Sequence, residues 1–533
     1  MNIYFIGMCI SLAVYIVIGA IVSRKIKSVE DYYVAGRRAP MILIAGSLIA
    51  SYTSTGMFMG DASQSYMGNF VSILLFAGMQ SAGYIIGSVF FGRYLRRSKV
   101  LTVPEFFGKR FQSKSVRNLA AVTAIIMMTV YLLSVMQGIG TLMNAVTGVD
   151  YRLCIILALV VFTIITVIAG SRGVLITDTL MAGVFTIALV IATIVIATRV
   201  GGWFHCVNSL ASTPMFSTFM SWGGTPGTLT ATSIGNFVWG LIYGVVWMSV
   251  CAVGPWQSSR YLMAKDEGTA VKSSIPAALG VFALEFFVGS AAVFVNLKNP
   301  GMEDPSKVLI WAAMNLMPKL LGVILLTGVL AAGISSATTF LSLIGSSFAN
   351  DIIGTEHKYF KNPIRSGQII MTLASVVVLL LAIYNPPSIF WIMFLGGAIV
   401  SASWMPVCVG AIASKRLTKK GAFAGILCGF LACFFLRLYT ALSGVSLPVY
   451  LDPSVVGIGA NIVAMVIVTK FTSVTAEEKA ARAAMFVEPE SERDPAKLKR
   501  TLSFCKKGLI IGPALTVFML ILWVIPYLRG LNG

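Results

Sequence analysis

The chain has 533 residues, of which 57% are hydrophobic and only 11% charged. A soluble globular domain carries about 25% charged residues. This composition therefore excludes a soluble enzyme, a disordered chain and a disulfide-stapled scaffold, and leaves a polytopic helical membrane protein. The net charge of +20 would suggest a nucleic-acid partner in a soluble protein; here its meaning depends on where the charges sit.

A spanning helix needs about 20 apolar residues. Fourteen runs qualify, near residues 3–22, 41–60, 71–92, 117–146, 151–170, 175–199, 232–252, 274–297, 320–350, 367–384, 388–411, 421–443, 453–471 and 508–528, here called spans 1 to 14. The first has no basic segment before it and no convincing cleavage site, so it reads as a retained helix rather than a signal peptide. The loop after span 1 holds Arg24, Lys25, Lys27, Arg37 and Arg38 and is taken as cytoplasmic. With sides alternating from there, only Arg152, Arg199, Lys298, Lys307, Lys319 and Arg529 of the 40 Lys and Arg fall on the other side, and Arg437 lies inside span 12. That bias predicts an even number of spans in the cell (inner) membrane with both termini outside. The basic excess is a topology signal, with a contribution from anionic lipid heads, and no nucleic-acid partner is expected.

No separate soluble domain is visible. The longest polar segment, 472–507, reads as a cytoplasmic linker, with a short helix expected from Thr475 to Met485 because Thr475 and Glu478 have capping-box spacing. The outer loop 200–231 is nearly uncharged and rich in Gly, Ser, Thr and Pro, which suits a partial lid. Eight cysteines include no CxxC pair. Cys154, Cys251, Cys408, Cys428 and Cys433 lie in apolar runs and read as small buried hydrophobes. Two histidines, His205 and His357, cannot build a histidine metal site. HExxH, P-loop and GxSxG motifs are absent, so neither an enzyme nor an organic cofactor is expected.

Spans 2–6 and 7–11 form two groups of five, and an odd count inverts the second group. Inverted repeats of this kind place solute and ion sites where helices are interrupted near the midplane. Both leading spans look interruptible. Span 2 contains Gly46, Ser47, Ser51, Thr53, Ser54, Thr55, Gly56 and Gly60; span 7 contains Gly235, Gly240 and Gly244 and ends at Gly254-Pro255. Glycine costs about 1 kcal/mol against alanine in a helix, whereas the bland reading is close packing through small residues. The organisation is thus an N-terminal helix and loop at 1–40, a first repeat at 41–200, the outer loop 201–231, a second repeat at 232–413, and peripheral helices at 414–533.

Span 9 carries Ala331-Ala332-Gly333-Ile334-Ser335-Ser336-Ala337-Thr338-Thr339. Three- and four-residue spacing puts these hydroxyls on one helix side. They can ligate a hard cation or simply bond back to carbonyls of their own helix. Asp178 opens the apolar run of span 6 and reads either as a cap or as an ion ligand. Glu285 lies in mid-span 8, where a carboxylate costs roughly 2.5–3.5 kcal/mol on insertion scales. It reads as a contact for a solute amine, a proton carrier or a structural partner. Gln80 and Gln137 are weaker candidates, and Arg437 reads as snorkelling or helix-bridging.

Three motifs carry a resemblance. Glu30-Asp31-Tyr32-Tyr33-Val34-Ala35-Gly36-Arg37 resembles a DYxxAGR entry loop; Thr102-Val103-Pro104-Glu105-Phe106 through Arg110-Phe111 resembles a TxxExxxxRF loop; and Ala331–Thr339 with Ser346-Ser347 to Asp351 resembles an AAxxSSxxT…SSxxxD helix. Together they identify the chain as similar to the sodium:solute symporter family, whose bacterial members carry proline, pantothenate, sialic acid and sugars. The resemblance implies a leucine-transporter-type inverted repeat and sodium-driven solute uptake by alternating access, with spans 2, 3, 7 and 8 rocking against 4, 5, 9 and 10. It implies a main sodium site at Ala50, Thr53, Ala332, Ser335 and Ser336. A second sodium site would use Asp178, Thr338 and Thr339, although Met181 replaces the usual glutamine. The implied solute pocket is Tyr52, Met57, Gln80, Trp247, Cys251 and Glu285. Its apolar, aromatic character lowers the expectation of a sugar. The run Ala50-Ser51-Tyr52-Thr53-Ser54 is similar to that of pantothenate- and carboxylate-carrying relatives, and the positive ends of half-helices suit an anion, so a carboxylate-bearing solute is expected, such as an organic acid, a pantothenate-like molecule or an amino acid. The rivals are proton coupling through Glu285 or Asp178, a sugar or sialic-acid symporter, and a sensor or channel on a transporter fold.

Overall fold

In the computed structural model the described residues are 2–23, 28–354, 362–384, 389–508 and 510–532. His357 and the basic residues Arg24, Lys25 and Lys27 lie outside them. The described residues are mostly helical and form no strand, and the one β-type bridge among them joins Ala39 to Ala264. Eleven helices are long and apolar enough to cross a membrane, and three shorter apolar helices, Ile3–Ile18, Met41–Tyr52 and Tyr151–Val167, supply spans 1, 2 and 5. Peripheral helices leave apolar stripes exposed, such as Ile10, Val14, Val17 and Ile21 or Ile187, Ile191 and Ile194. Around a spanning bundle such stripes face lipid tails, not water.

Span 2 breaks as its composition suggests. The helix Met41–Tyr52 ends at Thr53, which is extended (φ −68°, ψ 109°). The chain then resumes in the wide turn Gly56–Asp61. Hydroxyls take over the freed backbone groups: Ser54 Oγ accepts from the Gly56 N–H at 3.1 Å. Span 7 differs from expectation. Its helix Ser233–Val253 runs unbroken through Gly235, Gly240 and Gly244. An added Cβ would sit 3.3 Å from Ser72 at Gly240 and 2.3 Å from the Met79 sulfur at Gly244, so these two glycines serve close packing on span 3. The break comes only at Gly254, after which Pro255–Met263 forms a second short helix. Proline at that start fits because the first helical residue needs no N–H.

Residues Tyr151–Val200 hold spans 5 and 6. Tyr151 lies beside Gly140 near the outer end of span 4. The Val167 carbonyl accepts from Gln368 Nε2 at the inner start of span 10. Ala197 accepts from Cys206 of the outer loop. The chain therefore crosses inward and returns between these points. Span 6 packs on spans 2 and 9, span 3 on spans 7 and 8, and span 4 on span 11.

The three motif segments meet at one end of the bundle. Thr102 caps the helix Val103–Phe111 through the Glu105 N–H and also donates to Asp351 at 2.7 Å. Arg117 pairs with Asp351 at 2.9 Å, and Asn350 donates to Glu105 at 3.0 Å. Arg37 closes on the carbonyls of Lys99 and Val100 at 2.8 and 2.9 Å. The expected capping box is present at Thr475 and Glu478, opening the helix Ala476–Phe486. Arg437 bridges to Asp452 of span 13 at 3.6 Å.

The outer loop begins with the helix Trp203–Ser212. It then covers the outer end of span 2, where the Thr225 N–H reaches the Gly68 carbonyl at 3.0 Å. Both chain ends lie on this same face: Asn2 donates to Val146 O, and Tyr527 of the last helix donates to Ser217 O.

Candidate functional site

The break in span 2 faces the hydroxyl-rich turn of span 9. Ser335 Oγ lies 3.0 Å from the Ala50 carbonyl and 3.0 Å from the Ala332 carbonyl. Ser336 Oγ lies 3.4 Å from the Thr53 carbonyl. All five residues are fully buried. The proposed ligands of the main ion, drawn from two spans some 280 residues apart in sequence, thus converge on one point. The Ala50 and Thr53 carbonyls sit where the helix ends, so they lack the N–H four residues on that would normally occupy them. Each serine proton can turn toward a helix carbonyl while its lone pairs face the opening, giving two hydroxyl and three carbonyl oxygens around one small volume. Back-bonding is also present: Thr338 donates to Ser335 O at 3.0 Å.

The second set is arranged otherwise. Asp178 does not cap a helix; it lies inside the apolar stretch Gly173–Val200. Its Oδ2 accepts from Ser47 at 2.7 Å and from Arg260 Nη2 at 3.0 Å. Arg260 also donates to Ser47 at 2.7 Å and to Thr339 at 2.5 Å. Two of the oxygens expected to hold a second sodium, Asp178 Oδ2 and the Thr339 hydroxyl, thus already meet a guanidinium whose side chain is 2% exposed, while Asp178 Oδ1 is buried without a partner. Thr338 is turned away, toward Ser335. Sequence reasoning counted Arg260 among cytoplasmic charges. The signal it left is its position one turn after a Gly-Pro break, in Pro255–Met263, where every residue is buried.

Beside the break lie the residues of the implied solute pocket. The Tyr52 hydroxyl stands between Gln80 Oε1 and Glu285 Oε1, the latter at 3.1 Å. The Tyr52 and Trp247 rings meet edge to face, with centroids 5.4 Å apart. Tyr131, whose hydroxyl is 3.1 Å from Ser54 Oγ, packs on Trp247 at 6.0 Å. Cys251 and Met57 are buried; Cys251 lies against Gly83 of span 3. Gln137 is buried in span 4. One residue in this region was missed. Asp61, 1% exposed, accepts from the Tyr243 hydroxyl at 2.9 Å, and the Tyr243 ring lies 6.0 Å from that of Trp247. The criterion that singled out Glu285, a charge at membrane depth, applies equally to Asp61.

A multi-pass bundle with a broken helix facing a hydroxylated partner is an arrangement suited to a secondary carrier. Comparison with known proteins agrees. The sodium:solute symporter family matches residues 32–429, and the chain belongs to that family, whose members are sodium-coupled transporters. It is 23% identical over 454 residues to the sodium/proline symporter of Escherichia coli (strain K12), covering 79% of this chain and 85% of that one. It is 24% identical over 449 residues to the osmoregulated proline transporter of Bacillus subtilis (strain 168), covering 80% and 86%. Among solved structures, a sodium-coupled sialic acid symporter in a substrate-bound outward-open state matches with a TM-score of 0.75 at 20% identity, covering 89% of this chain and 98% of that one. Mhp1, a nucleobase-cation-symport-1 family transporter, matches with a TM-score of 0.54 at 12% identity, covering 85% and 98%. The fold is the leucine-transporter-type 5+5 inverted repeat within a fourteen-span, all-α membrane protein.

Proposed function

We propose that this protein imports a small organic solute by symport with sodium, through alternating access across the cell membrane, with both termini outside. The observation that carries the reading is the meeting of Ser335 and Ser336 with the carbonyls of Ala50 and Thr53 at the break of span 2. Together with the Ala332 carbonyl they offer one alkali cation five uncharged oxygens, a donor set suited to reversible binding of a hard ion. The ion would draw span 9 of the scaffold toward span 2 of the moving bundle, and the solute would bind beside it at Tyr52, Met57, Gln80, Trp247, Cys251 and Glu285.

The engagement of Asp178 and Thr339 by Arg260 supports a single sodium per cycle rather than two. The test is uptake into proteoliposomes at fixed pH with sodium replaced by potassium. Uptake should vanish without a sodium gradient and depend hyperbolically on sodium. Undiminished uptake in potassium, driven instead by a pH gradient, would overturn the assignment.

A further inference from the structure

Asp61 and Glu285 are two carboxylates buried at mid-membrane on either side of one aromatic wall, made by Tyr52, Trp247 and Tyr243. Among the described residues neither carboxylate has a Lys or Arg within ion-pair distance, whereas Asp178 and Asp351 both do. Their hydrogen bonding is incomplete. The single Tyr52 proton faces two acceptors, Gln80 and Glu285. Glu285 Oε2 and the Trp247 indole N–H are both buried without a hydrogen-bond partner. The same wall also holds two free donors, the Gln80 amide nitrogen and that indole N–H. Buried charges persist only when paired, so a ligand that brings positive charge and N–H donors would complete this cluster.

We propose that Asp61 and Glu285 recognise the ammonium of the transported solute, and that this solute is a small organic cation: a protonated amine with an oxygen acceptor a few bonds away for the Trp247 N–H. The inference rests on the sodium-symport reading and names the substrate class of that site. The aromatic faces supply the second half of the recognition, since a cation over Trp or Tyr gains from the ring quadrupole. Charge balance links the pair to coupling. With one sodium beside Ala50 and one ammonium between the acids, two positive charges meet two negative ones and the loaded midplane is neutral. With either cation missing it carries net negative charge, which disfavours crossing. The Arg260–Asp178 pair is already neutral and stands outside this balance. The expected carboxylate of the solute is thereby replaced by an amine as the group that defines specificity.

The test uses the purified full chain in nanodiscs, with thermal stabilisation and isothermal titration as readouts. The probes are ethanolamine and arginine as cations, proline as a zwitterion and lactate as an anion, each in sodium and in potassium. At least one cationic probe should stabilise the protein, in sodium only, with lactate inert. Asp61→Asn and Glu285→Gln should each raise that probe's dissociation constant tenfold or more. Both variants keep side-chain size, and retained stabilisation by sodium alone certifies folding; Glu285→Asp, which keeps the charge, should retain part of the affinity. No stabilisation by either cation, equal or stronger stabilisation by lactate or proline, or unchanged affinity in both variants would overturn the assignment. Sodium-dependent binding of lactate would overturn the charge assignment alone and leave symport standing. Sodium-independent binding of a cation, abolished by Glu285→Gln, would overturn symport and leave the carboxylate pair standing. Sodium-independent uptake that follows the pH gradient and is lost in Glu285→Gln would make the pair a proton site and overturn both.

Discussion

Asp178 and Arg260 provide a sharp test of the ion stoichiometry. Their side chains are 0% and 2% exposed and lie 3.0 Å apart, with Ser47 and Thr339 completing the guanidinium's partners. Removing one member of a buried pair strands the other charge and costs about 3–5 kcal/mol. Asp178→Asn and Arg260→Met should each lose about that much. The double variant removes both charges from an apolar setting, where replacement is often close to neutral, so it should be more stable than either single variant. The interaction energy from the cycle should therefore exceed the loss of either single variant, that is, more than about 3–5 kcal/mol. Stability would be read from unfolding in detergent–SDS mixed micelles, and the sodium dependence of uptake from proteoliposomes of the wild type and double variant. In both, that dependence should be hyperbolic. Additive losses, or a sigmoidal wild-type dependence made hyperbolic by Asp178→Asn, would refute the view that Arg260 occupies the second cation position.

Ser336→Ala should raise the sodium concentration for half-maximal uptake roughly tenfold, the equivalent of one hydrogen-bond-strength contact to a charge, with unchanged expression and monodispersity; unchanged sodium dependence would remove Ser336 from the ligand set. Gly87→Ala should destabilise the contact between spans 3 and 7 by about 1–3 kcal/mol, because its Cβ would fall 2.4 Å from the Ala252 backbone; wild-type stability in the same SDS titration would contradict that. Thr475→Ala should cost about 1 kcal/mol and, in hydrogen exchange, expose the helix Ala476–Phe486 while leaving the bundle protected.

The elements read well from the sequence are those governed by one-dimensional constraints. Span length follows from bilayer thickness, and the interruption of span 2 follows from consecutive Ser, Thr and Gly. The hydroxyl face of span 9 follows from helical spacing, and its meeting with Ala50 and Thr53 came from the family resemblance. What escaped depends on which neighbour a residue meets in three dimensions. Gly240 and Gly244 are indistinguishable in sequence from helix breakers, and only the closeness of Ser72 and Met79 makes them packing residues. Arg260 looks like loop charge because the helix carrying it is short, and its burial comes from contacts with spans 2, 6 and 9. Asp61 was hidden by its apolar neighbours Phe58, Met59 and Ala62, where a single acid barely lowers the hydropathy of the run.

The chain beyond span 13 has a mechanical consequence. The linker is tied to neighbouring ends of spans 3 and 8, where Arg97 pairs with Glu267 and Glu488 at 2.9 and 3.1 Å. The last helix lays Phe518 on Phe286 and Trp523 on Phe70, and its far end is fastened to Ser217. This segment is a strap running the full height of one half of the molecule. In the proposed transport cycle a tilt of span 8 would carry the strap with it through the surrounding lipid, so bilayer thickness and stiffness would act as a brake on turnover without touching either ligand.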